Sequence, residues 1–144
     1  MIEKIIAIAE QAGEAILEIY HQDFSVEIKS DDSPLTQADK NANAVIVAGL
    51  KAIAPEIPII SEENKLTDYA IRKDWTQCWM VDPLDGTKEF IKKNGEFTVN
   101  IALIENGVPV MGVVHVPAQG ITYFAEKGKG SHKKGDGIIQ TLNI

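Results

Sequence analysis

The sequence predicts an α/β (α+β) fold in which two helices pack on a largely antiparallel sheet. Three observations carry this. Apolar residues recur at helical spacing over Ile2 to Tyr20 and again after Thr36. From Pro58 onward the apolar residues come in short runs of strand length. Two of those runs flank Glu105-Asn106-Gly107, and an Asn-Gly pair between apolar runs is a strong hairpin signal.

In chain order, Ile2, Ile5, Ile6, Ala9, Ala12, Gly13, Ile16 and Tyr20 form the apolar stripe of the first helix. Phe24, Val26 and Ile28 alternate as a short strand would, and Ser30-Asp31-Asp32-Ser33-Pro34 reads as loop chemistry. Thr36 is the expected N-cap of the second helix, with Asp39 completing an Asp variant of the capping box. The buried stripe there is Ala42, Val45, Ile46, Gly49, Leu50 and Ile53, and Pro55 ends the helix because it cannot extend the hydrogen-bond ladder.

Pro58 to Ser61 and Cys78 to Val81 read as buried strands, the first ending at Glu62-Glu63 and the second at Asp82-Pro83. Asn64 to Trp75 shows no period. Gly86-Thr87 opens a short helix reaching Lys92 or Lys93. Thr98 to Ile104, Val108 to Val116 and Gly120 to Glu126 form a meander, Lys127 to Gly137 is expected to be a Gly/Lys-rich loop, and Gly137 to Gln140 starts a last strand.

The chain has 144 residues, 44% apolar and 24% charged, which suits one domain and excludes wholesale disorder. No apolar run reaches the ~18–20 residues of a membrane helix. Met1-Ile2-Glu3-Lys4 does not resemble a secretory signal. The single cysteine, Cys78, excludes an internal disulfide and a cysteine-based zinc site and fits a core position in a reducing compartment. A cytoplasmic location is therefore expected, with peripheral attachment to the inner membrane left open. The net charge of −7 disfavours nucleic-acid polymers, which need a cationic surface, but not a small phosphate ester, since bound cations reverse the local field.

Three acidic points fall at the ends of expected elements: Asp39, Glu62-Glu63, and the run Asp82-Pro83-Leu84-Asp85-Gly86-Thr87. Carboxylates at strand ends can converge at one edge of a sheet, and hard cations such as Mg2+ take oxygen ligands while keeping waters and phosphates in the shell. Asp82 and Asp85 can bridge and ligate two cations, with the Leu84 carbonyl as a neutral oxygen. Gly86-Thr87 at a helix start can receive a phosphate, the Thr87 hydroxyl can hold the attacking water, and Asp39 can accept its proton through that hydroxyl. His21, His115 and His132 share no ligand spacing and receive no role.

Ser33-Pro34-Leu35-Thr36-Gln37-Ala38-Asp39, Ser61-Glu62-Glu63 and Trp79 to Thr87, in this order, resemble the signature of the lithium-sensitive, Mg2+-dependent phosphatases. That superfamily includes inositol monophosphatase and fructose-1,6-bisphosphatase. Asp85-Gly86-Thr87-Lys88-Glu89-Phe90-Ile91 with Asn94 to Ile104 is more selective and resembles the bacterial 3'(2'),5'-bisphosphate nucleotidase branch.

The resemblance implies the N-terminal part of a layered α/β/α/β/α sandwich. It implies Glu62, Asp82 and the Leu84 carbonyl on a first Mg2+ and Asp82 and Asp85 on a second, with two or three ions in a complete site. Asp39 and Thr87 would position the water, and Glu62 with Leu84, Asp85, Gly86 and Thr87 would hold the phosphate. The implied reaction converts adenosine 3',5'-bisphosphate to AMP and phosphate, clearing a by-product of sulfate assimilation.

Family members carry a second half with a further metal-binding aspartate, and nothing between Gly107 and Ile144 replaces it. Residues 1–144 are thus expected to be the metal- and phosphate-binding domain, impaired alone, and either self-associating or pairing with the missing half. An inositol monophosphatase-like sugar phosphatase and a non-catalytic metal-binding module are the alternatives.

Overall fold

The computed structural model describes residues 1–21, 33–61 and 76–142. The strand expected at Phe24 to Lys29, the loop residues Ser30 to Asp32, the pair Glu62-Glu63 and the stretch from Asn64 to Trp75 lie outside the described residues.

Helix α1 runs over Ile2–Tyr20 and buries the stripe expected of it. Helix α2 runs over Pro34–Ile53 and buries Ala38, Ala42, Ile46 and Leu50, with Val45 and Ile53 half-buried beside them. Its start corrects the sequence reading. The N-cap is Ser33, whose Oγ accepts from the Thr36 amide at 3.0 Å and donates to Thr36 Oγ1 at 2.8 Å. Pro34 takes the first helical position, where its fixed φ is already helical and its missing N–H is not needed. Thr36 and Asp39 are therefore both inside the helix, and Asp39 is in its second turn rather than in a capping box.

The sheet has seven strands among the described residues, in the spatial order of the chain. They are β1 (Ile59–Ser61), β2 (Gln77–Asp85), β3 (Thr98–Glu105), β4 (Val108–Val116), β5 (Ile121–Glu126), β6 (Gly130–Gly135) and β7 (Ile138–Leu142). β1 and β2 pair parallel and every later pair is antiparallel. The six-residue helix α3, Thr87–Lys92, follows β2. The Asn106-Gly107 hairpin forms as expected, with φ of 51° and 80° at its two residues.

Two further expectations are corrected. β2 does not stop before Asp82-Pro83; it continues to Asp85 through an irregularity between Asp82 and Asp85. Lys127 to Gly137 is not a loop throughout, because β6 pairs there with β5 and β7. Lys134 also ties β6 to α1, its Nζ 3.3 Å from Glu10 Oε2.

One face of the sheet carries the core. Trp79, Val81, Val99, Ile101, Leu103 and Val113 are buried there, with α1 across β3, β4 and β5 and α2 against β2. Cys78, on the other alternation of β2, is half-buried rather than a core residue. Tyr20, Phe90 and Phe97 close one end of the core, with ring centroids 4.8–5.6 Å apart. No helix among the described residues is long and apolar enough to cross a membrane.

Between α1 and the sheet lies a buried imidazole. His115 Nδ1 is 2.8 Å from Thr122 Oγ1, its register partner on β5. Gly13 of α1 sits so close that a Cβ there would be 2.7 Å from His115 Cδ2, so the helix can approach only because that residue is glycine. Burial pushes the His115 pKa down, and Lys134 adds to this. Glu10, Glu14 and a hydrogen bond to the Ile121 backbone oppose it without prevailing.

A histidine depressed in the folded state favours the neutral form there. Its contribution to stability is full above the unfolded pKa of about 6.5 and is lost as pH falls through that value toward the folded pKa. The melting temperature is thus expected to fall more steeply between pH 7.5 and 5.5 in the unsubstituted chain than in His115→Gln. Parallel slopes would show that this imidazole stays neutral in neither state preferentially.

Candidate active site

Asp82 and Asp85 are three residues apart, and in a regular strand such residues point to opposite faces. The register shows how the chain avoids this. Asp82 pairs with Asn100 and Asp85 with Thr98, so three steps on β2 match two on β3. The extra residue is a bulge at Pro83-Leu84, and it turns Asp85 back to the face that holds Asp82. Both Pro83 and Leu84 are buried, which anchors the bulge in the core. Proline within the strand fits this, since a bulge is one of the few sheet positions that need no ladder donor.

Asn100 stands on the same face and donates from Nδ2 to Asp85 Oδ2 at 3.1 Å. Its Oδ1 is buried and accepts no hydrogen bond from any described residue. Sequence reasoning missed Asn100; the signal was there, as a polar residue in the apolar run from Val99 to Leu103.

Gly86 follows at φ +89°, a left-handed conformation in which a Cβ would meet Phe97 Cα at 3.2 Å. Only glycine suits both constraints. Thr87 then starts α3 with its side chain exposed, and the helix is held down by Phe90, which is fully buried.

Asp39 comes from a separate element. It is half-buried on α2, one turn before Asn43, whose Oδ1 accepts from Ser61 Oγ at 2.8 Å. That bond ties α2 to the end of β1, and α2 also contacts α3. The described structure thus gathers Asp82, Leu84, Asp85, Gly86 and Thr87 in one strand–bulge–turn and sets α2 beside it. Glu62 lies outside the described residues. Among the described residues no three His, Cys, Asp or Glu side chains converge as a ligand group.

The donor set fits a hard divalent cation in part. Asp82, Asp85 and Asn100 offer oxygen donors and neither sulfur nor imidazole, and the buried Asn100 Oδ1 leaves an acceptor for a bound water. Beside these residues the outer face of the sheet forms an apolar groove of about 940 Å³, with Asp82, Asn100 and Ser61 at one end and Tyr123, His132 and Leu142 among its other lining residues. Met80, Val114 and Tyr123 are exposed on this face.

A fold of two helices on this sheet, with an aspartate bulge leading into a glycine-started helix, places the chain in a known class. It belongs to the inositol monophosphatase family, whose model matches residues 1–143.

Within that family the chain is 50% identical, over its whole length, to the 3'(2'),5'-bisphosphate nucleotidase CysQ of Salmonella typhimurium strain LT2, of which it covers 58%. It is 47% identical to the CysQ of Escherichia coli K12, again covering 58%. The crystal structure of CysQ from Bacteroides thetaiotaomicron is similar at a TM-score of 0.84 and 49% identity, over 99% of this chain and 52% of that one. An inositol monophosphatase from Zymomonas mobilis matches at a TM-score of 0.78 and 29% identity, over 93% of this chain and 50% of that one. The chain spans about half the length of the relatives it matches.

Proposed function

We propose that this chain is the metal- and phosphate-binding part of a Mg2+-dependent 3'(2'),5'-bisphosphate nucleotidase that converts adenosine 3',5'-bisphosphate to AMP and phosphate. What supports the reading most is the bulge at Pro83-Leu84, which sets Asp82 and Asp85 on one face beside Gly86 and Thr87. The identity of about half to curated bisphosphate nucleotidases favours this substrate over an inositol phosphate. Such an activity would remove a by-product of sulfate assimilation.

In this reading Glu62, Asp82, Asp85 and the Leu84 carbonyl hold two or three Mg2+ ions. Bound cations supply positive charge to the phosphoryl oxygens and make a water more acidic. Gly86 presents a bare backbone to the phosphate, and the Thr87 amide at the helix start donates to it, with Leu84, Asp85 and Glu62 completing the cradle. Thr87 Oγ1 holds the attacking water, and Asp39 takes its proton through that hydroxyl. The exposed groove is covered by a polypeptide equivalent to the remaining length of the relatives, either as a continuation or as a separate chain.

The test is Mg2+-dependent phosphate release from adenosine 3',5'-bisphosphate and from inositol phosphate. It is measured on the 144-residue chain and on the same chain fused to the rest of a relative. The fused chain is expected to turn over the bisphosphate preferentially and the short chain far more slowly. Equal or faster release from inositol phosphate would reassign the substrate. Mg2+ uptake with no turnover by either chain would leave a non-catalytic module.

A further inference from the structure

Asn100 is a polar residue on the outer face of β3, with Thr98 and Ala102 as its neighbours on that face. Its side chain is half-buried there, and half-burying a polar side chain is costly unless its atoms find partners. One end finds Asp85: Nδ2 donates to Oδ2 at 3.1 Å. A carboxylate only accepts, so the amide must turn its nitrogen to Asp85 and its oxygen away. Backbone pairing sets Asn100 directly opposite Asp82, so one side chain stands next to both carboxylates. The oxygen is shielded from solvent and takes no hydrogen bond from any described residue. Asp85, by contrast, is exposed, and among the described residues Asn100 is its one side-chain hydrogen-bond partner.

We propose that Asn100 is a positioning residue for Asp85: its amide holds the carboxylate on the face of Asp82 and so sets the affinity of the pair for a divalent cation. The proposal rests on Asp82 and Asp85 being cation ligands. An exposed aspartate after a bulge has several side-chain rotamers open to it, and fixing one beforehand removes an ordering cost from binding. The second end of the amide then remains as an acceptor for a donor that arrives with the cation, such as a water in its shell. Partners that orient metal ligands in this way commonly govern affinity by about 10–100-fold.

The experiment titrates Mg2+ into the 144-residue chain by calorimetry and, separately, melts the chain in EDTA. Asn100→Leu keeps the approximate size and removes the amide; Asn100→Gln keeps an amide. Asn100→Leu is expected to bind Mg2+ about tenfold more weakly, with a metal-free melting temperature at or above that of the unsubstituted chain. Asn100→Gln is expected to recover part of the affinity.

Unchanged affinity in Asn100→Leu, or a loss matched by a lower metal-free melting temperature, overturns the positioning role. Asp85→Asn separates this from the reading beneath it. If Asp85→Asn weakens Mg2+ binding while Asn100→Leu does not, only the role of Asn100 fails. If Asp85→Asn binds as before, or the unsubstituted chain takes up no Mg2+, the ligand reading fails and the proposal with it.

Discussion

Asp82→Asn is expected to weaken Mg2+ binding by on the order of a hundredfold or more, and to leave almost no Mg2+-dependent phosphate release in the chain completed to the length of its relatives. A direct ligand should cost at least as much as the outer partners that orient one. The substitution keeps the shape of the side chain and removes a negative charge that would help to hold a divalent cation. Because Asp82 is half-buried on the outer face, away from the core packing of Trp79 and Val81, the fold should survive. Calorimetry and phosphate release measure the effect. Lys129→Ala, on an exposed turn, is the control and should change little. A fully active Asp82→Asn variant would remove the basis for a cation site at the bulge.

Phe90→Ala carries the largest expected cost to stability, about 3–5 kcal/mol by the usual range for deleting a buried aromatic ring. Phe90 is fully buried and packs on Tyr20 and Phe97 at centroid distances of 5.6 and 5.4 Å. It is the one buried residue of α3, so it holds down the short helix that begins at Thr87. Its loss should therefore loosen the Gly86-Thr87 turn as well as open a cavity. Urea unfolding would show a lower midpoint for Phe90→Ala and a smaller loss for Phe90→Leu, which keeps most of the volume. Equal stability of Phe90→Ala and the unsubstituted chain would mean that the aromatic cluster does not secure this end of the core.

The helices and the antiparallel meander were legible because their signals are local. The apolar stripe of Ile2 to Tyr20 and the Asn106-Gly107 turn each depend on neighbours within a few residues. The features that required coordinates depend on pairing across strands. Nothing in Asp82-Pro83-Leu84-Asp85 distinguishes a turn from a bulge; only the partners Asn100 and Thr98 on β3 decide it. For the same reason the hydrogen bond from Asn100 to Asp85 was not legible: the polar residue stood out in its apolar run, but only the pairing of β2 with β3 brings the two together.

β6 was misread because Ser131-His132-Lys133-Lys134 has no apolar alternation. Its strand character comes from backbone pairing with β5 and β7 and from the Asp136-Gly137 turn, whose φ values of 52° and 76° match a tight hairpin. Asp-Gly was a readable hairpin signal there, masked by the surrounding lysines and glycines. The cap at Ser33 was likewise present in the sequence and overlooked. Serine followed by proline is a good helix start, and the loop-like run before it concealed that.

The most direct measurement is anomalous diffraction from crystals of the chain grown with Mn2+ in place of Mg2+. A peak within about 2.0–2.3 Å of carboxylate oxygens from both Asp82 and Asp85 is the predicted result. An ion bound elsewhere, or the two carboxylates on opposite faces of the sheet with no ion between them, would contradict it.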